Sequence, residues 1–212
     1  MLNIGITGNA LFTEKNRIAG ILCEEHGYRE ITINGEPKYQ ILEISAWQRE
    51  HDFTHEELAE LVNATFFEGR GGAAFNHQLI KHILKPMGSI PEGADTHLLS
   101  IVKHYMNLVK AEISSTYWLD IAVNKSLRHI ETGRPVVIPD VQSLKEVRVL
   151  HGFAFWIIDT YSPPQPKRHR ADIWHSTHQP DGTIIIDDGK ELSSRVEELL
   201  QFLRGNKLMY RA

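Results

Sequence analysis

Apolar residues recur along this chain at two spacings, and the switch from one to the other predicts its elements. Leu2, Ile4 and Ile6 alternate as in a short strand, and Gly5 and Gly8 bracket its end. Ile18, Ile21 and Leu22 then repeat at i, i+3, i+4, the spacing of a helix face. Residues 28–33 alternate like a strand, residues 34–38 (NGEPK) are turn chemistry, and residues 39–44 read as another extended piece. Residues 52–66 predict a helix capped at Thr54, with Glu57 completing a capping box and Leu58, Leu61 and Val62 facing inward. The GRGG at 69–72 breaks it, and a short helix over 76–84 stops before Pro86.

Two longer helical patterns follow. Residues 96–110 carry Leu98, Ile101, Val102, Tyr105 and Leu108, and residues 115–132 carry Trp118, Ile121, Ala122, Leu127 and Ile130 before Gly133. Strand character returns at 136–141, where apolar residues run toward Asp140. A helix over 143–150 and a nearly continuous apolar run at 153–161 come next, the latter expected of a strand covered on both faces. After the polar, Pro-rich segment 162–181, a short strand at 183–186 and a helix over 190–204 close the pattern. Strands alternating with helices predict an α/β fold with three layers: a central, mostly parallel sheet flanked by helices, with right-handed crossovers. We expect one domain over 1–212, with a largely helical insertion at 34–133.

Composition narrows the function. With 42% hydrophobic and 24% charged residues, the chain reads as a soluble globular protein. Its formal charge of −4 argues against a large nucleic-acid surface. Cys23 is the single cysteine, which suits a reducing cytoplasm. No leader pattern precedes the first strand, and no apolar run reaches membrane length. The twelve histidines include His97 with His104 and His175 with His178, but no H-E-x-x-H arrangement, so no metal-ligating set is expected. Trp118 and Trp156 are expected in the core, and Trp174 lies beside the basic segment.

Candidate chemistry concentrates after the first strand. A strand, a glycine turn and a helix present unpaired amides and a positive dipole end, which favour phosphate. The full phosphate loop reads G-x-x-x-x-G-K-[ST]. Counted from Gly8, Thr13 takes the second glycine's place, Glu14 the lysine's and Lys15 the hydroxyl's. A lysine on a phosphate contributes about 4 kcal/mol at an effective dielectric near 20, so Glu14 there would oppose binding. If the loop is one residue longer, Lys15 takes the lysine role and Asn16 faces a magnesium ion. The plain alternative makes Thr13 an N-cap and Glu14 a first-turn acid. Asp140 and Asp159, near the carboxyl ends of their strands, could hold magnesium or a substrate hydroxyl, or cap the next helix. Arg70 sits among glycines, and Lys167, Arg168 and Arg170 could close over phosphates.

Four stretches together resemble the phage-type deoxynucleoside monophosphate kinases, P-loop proteins of the nucleoside monophosphate kinase fold. They are GITGNA near the start, YWLDIAVNKSLRHIETGRPVVIPDVQSLKE at 117–146, GFAFWIIDTY with its basic segment, and GTIIIDDGKELSSRVEELLQFL at 182–203. Residues 34–110 match loosely. The family's G-K-D-[ST] falls on Thr13, Glu14, Lys15 and Asn16, and the arginine of its D-V-R-F-x-x-E run is replaced by Gln142, while Asp140 and Glu146 remain. The resemblance implies phosphoryl transfer from ATP to a (d)NMP with Mg2+. It places Gly8, Asn9, Ala10, Thr13, Lys15, Asn16 and Lys167 on nucleotide, and Lys15, Asp140, Arg168 and Arg170 at the transfer, with 162–181 as a lid. The lost cations support an alternative, an inactive pseudo-kinase that senses nucleotide or serves assembly through a protein partner or homo-oligomer.

Overall fold

The computed structural model describes residues 2–8, 10–67, 95–161, 180–186 and 191–209. The expected helix over 76–84, Asn9, Arg70, Lys167, Arg168, Arg170, Trp174, His175 and His178 lie outside the described residues. Five strands are described: β1 (Asn3–Gly8), β2 (Arg29–Glu30), β3 (Val136–Ile138), β4 (Phe155–Tyr161) and β5 (Gly182–Ile185). Seven helices are described: α1 (Phe12–His26), α2 (Gly35–Glu50), α3 (His55–Phe66), α4 (Asp95–Glu112), α5 (Tyr117–Glu131), α6 (Leu144–Gly152) and α7 (Leu192–Met209).

The chain divides into two compact units, Met1–Ile33 with Ala122–Ala212, and Asn34–Ile121. The first holds the sheet, in the order β2-β3-β1-β4-β5, and every described pairing is parallel. The fold is therefore α/β, with helices on both faces of the sheet. On one face Leu2, Ile4 and Ile6 of β1 join Ile18, Ala19 and Leu22 of α1 and Val196, Leu200 and Leu203 of α7. On the other, Gly5 lies under Ile157, Val141 and Leu150 of α6. The near-continuous apolar run of β4 is explained by this double cover. Trp156 of β4 is half-buried against the core rather than within it.

In the second unit, residues 39–44 correct the extended reading: they lie in α2. Pro37, Gln40, Ile41 and Ile44 are its buried positions, at i, i+3, i+4, i+7, and Pro37 is tolerated because it sits in the first turn. Alternation over six residues imitated a strand there. The buried Tyr105 hydroxyl donates to Gln40 Oε1 at 2.7 Å, and the Trp118 indole donates to the Met106 carbonyl at 3.2 Å. The helix at Thr54 forms with its capping box, Glu57 N–H to Thr54 Oγ1 at 3.2 Å and Thr54 N–H to the Glu57 carboxylate at 2.9 Å. The strand expected over 28–33 shrinks to two residues at the sheet edge, although Ile31 N–H still donates to the Val137 carbonyl. Among the described residues no helix is long and apolar enough to cross a membrane.

Candidate functional site

After β1 the chain moves toward β3 and β2; after β4 it moves the other way, toward β5. The connections diverge between β1 and β4, and the crevice outside the carboxyl ends of such strands is where open α/β sheets take ligands. The register aligns Thr7 with Asp159 and Gly8 with Thr160 at this point. Gly8 has φ of 104°, and a Cβ there would collide with the Asp159 carboxylate and the Thr160 backbone. Only glycine lets the chain turn so close to β4. Ala10 N–H closes the turn on the Thr160 carbonyl at 3.3 Å, and Thr160 Oγ1 donates to the Thr7 carbonyl at 2.5 Å.

The connection is shorter than the expected loop over 8–16. Residues 9–11 join strand to helix, and residues from Phe12 onward are helical. Thr13 is not the N-cap; Leu11 occupies that position, in extended conformation, and Thr13 is exposed. Glu14 lies in the first turn, its carboxylate accepting the Leu11 N–H at 2.6 Å. With no second glycine to hold an open loop, the helix begins early and the acid serves its start.

Early helix formation decides where Lys15 goes. Lys15, Ile18, Ala19 and Leu22 fall at i, i+3, i+4, i+7, and all four are buried. Lys15 is only 9% exposed. Burial holds its ammonium below the ordinary lysine range, and the carboxylates of Asp159 and then Asp140 pull it back up. Those carboxylates are themselves 6% and 3% exposed. One Asp140 oxygen accepts the Ile33 N–H at 2.9 Å. Asp140 does not cap the helix after β3: Ser143 does, with its Oγ on Glu146 N–H at 3.2 Å and Glu146 on Ser143 N–H at 2.9 Å.

The structure thus brings Gly8, Ala10, Lys15, Asp140 and Asp159 to one end of the sheet. Asn16 is half-buried, and its Oδ1 has no hydrogen-bond partner among the described residues. Sequence reasoning missed Thr160, which holds the turn through both its carbonyl and its hydroxyl; its position opposite Gly8 follows only from the β1–β4 register. Among the described residues no three His, Cys, Asp or Glu side chains converge on a metal site. Cys23 is half-buried, and burial pushes its thiol up, away from nucleophilic use. No protein-family model matches the chain, and no curated protein matches it significantly.

Proposed function

We propose that this chain binds nucleotide at the β1–β4 crevice and transfers the γ-phosphoryl group of ATP to a (deoxy)nucleoside monophosphate. One observation carries the reading: a buried lysine in the field of two buried carboxylates, close to a turn that only glycine can make. A buried ammonium is costly unless anions solvate it, and phosphate oxygens would complete that solvation. Phosphoryl transfer depends on positioning and charge neutralisation, with little covalent work for the protein. Lys15 would grip and orient the donor phosphates, and burial would keep water from competing with the acceptor. The resemblance adds Lys167, Arg168 and Arg170 as a lid, and Asn16 beside the phosphates.

Asp140 and Asp159 offer the hard oxygen donors that magnesium takes, which usually number one or two beside substrate phosphates. Bound there, the ion would supply charge neutralisation at the phosphate oxygens. Lys15 with two carboxylates carries a net negative charge, so ATP affinity should depend steeply on magnesium.

A second reading, nucleotide sensing or assembly without turnover, is favoured by Glu14, whose carboxylate takes the Leu11 amide. The test is ADP formation from ATP and a panel of dNMPs, with Lys15→Met as control and its fold checked by circular dichroism. Turnover that needs a dNMP and Lys15 supports the kinase. Magnesium-dependent ATP binding without turnover supports the sensor. Absence of ATP binding at millimolar concentration overturns both.

A further inference from the structure

A second cluster of charge lies in the same unit, where the β2 edge meets the end of α5. Arg29, Lys125, Arg128, His129 and Arg134, with Ile31 and Thr132, line a depression of about 660 Å3. Among the described residues no acidic side chain lines it, in a chain whose net charge is −4. Among the described residues, Arg29, Arg128 and Arg134 have no carboxylate within ion-pair distance.

Basic residues at a helix end ordinarily complement its carbonyls. Here two of the last carbonyls, those of His129 and Ile130, are served by the backbone and Thr132. His129 O accepts from Thr132 N–H at 3.1 Å, Arg134 N–H at 3.0 Å and Thr132 Oγ1 at 2.8 Å, and Ile130 O accepts from Gly133 N–H at 3.0 Å. Gly133 adopts φ of 78° to make that closure. The His129 and Ile130 carbonyls thus do not call on the guanidinium groups, and Arg29, Arg128 and Arg134 are exposed.

We propose that this depression is a binding site for a small anion carrying two or more phosphate groups, distinct from the Lys15 crevice. Its volume falls within the small-molecule range of roughly 300–1,000 Å3. Arginine forks match phosphate oxygens in pairs. Among the described residues no Phe, Tyr or Trp side chain lines the depression, so the phosphates rather than a base are what it grips.

The test is calorimetric titration of the full chain with inorganic tripolyphosphate, and with ATP, in low salt. We expect binding that survives Lys15→Met, weakens at least tenfold in Arg128→Ala and in Arg134→Ala, and falls with added salt. Those arginine variants should melt within about a degree of the parent, because both side chains are exposed and neither makes an ion pair among the described residues. ATP matching tripolyphosphate at the Lys15→Met protein would assign a nucleotide's phosphate tail as one source of the ligand, and tripolyphosphate alone would assign free polyphosphate. Binding that vanishes in Lys15→Met but ignores Arg128 and Arg134 would overturn the second site and leave the Lys15 reading standing. So would no binding up to 10 mM, or a single-stranded oligonucleotide that binds more tightly than tripolyphosphate with affinity growing with length.

Discussion

α1 and α6 each follow one of two adjacent parallel strands, β1 and β3, yet they begin by different means. At α6 Ser143 and Glu146 satisfy each other's amides, and Glu146 also accepts the Gln142 N–H at 2.7 Å. At α1 the capping position holds Leu11, whose side chain has no acceptor and is 52% exposed. Glu14 supplies the acid half of a capping box, while its own N–H donates to the Leu11 carbonyl at 3.0 Å rather than to a side chain. α6 starts as a helix optimised for stability starts. α1 forgoes a polar side-chain cap and buries a cation in its first turn, where the charges of Asp159 and Asp140 act on it. Natural proteins give up stability in this way chiefly where a ligand is to be met.

The largest effect that would break this contrast is at Gly8. Gly8→Ala should cost about 3 kcal/mol, combining a positive φ with overpacking against β4, and would be read as a lowered denaturation midpoint. Ser143→Ala should cost about 1 kcal/mol through loss of a genuine cap. Leu11→Ser should do the opposite, stabilising the ligand-free protein by up to about 1 kcal/mol, since Leu11 already has the extended backbone a cap requires. The same variant should bind ATP more weakly, because its hydroxyl would take a first-turn amide. A loss of stability in Leu11→Ser would show that α1 is not under-capped.

The smallest effects are in the alkaline pH profile. Lys15 titrates below its ordinary value of 10.5, so the folded chain releases that proton before the unfolded chain does. Stability should therefore rise with pH toward 10.5, and Lys15→Met should flatten the rise. Tyr28 has the reverse sign. Burial pushes its hydroxyl from 10.0 up to about 12, so the folded state keeps a proton the unfolded state loses. Stability should fall across that interval, and Tyr28→Phe should soften the fall, with buried Tyr105 still contributing in the same direction. Urea denaturation at stepped pH reads both.

Much of the fold could be read from residue order. The buried strands at 136–138 and 155–161 declared themselves as apolar runs, and the boxes at Thr54 and Ser143 carry hydroxyl-to-acid spacing. α2 could not, because the residues that bury it include Gln40, whose partner Tyr105 is far along the chain. The direction of Lys15 was legible in principle. Pairing Ile18 with Ile21 as well as Leu22 set the inner stripe of α1 too far round; the stripe Ile18, Ala19, Leu22 extends back to Lys15. Arg29, Arg128 and Arg134 gave no signal, since a helix end and a sheet edge bring them together only in the folded chain.

The Lys15 grip is tested most directly by following the side-chain 13Cε resonance of Lys15 through a pH titration, with and without saturating MgATP, assigned by its loss in Lys15→Met. Lys15 should titrate below 10.5 in the free protein and shift clearly upward with nucleotide, as phosphate oxygens stabilise the ammonium. Superimposable curves in the two conditions, at nucleotide concentrations where binding is independently seen, would contradict the grip.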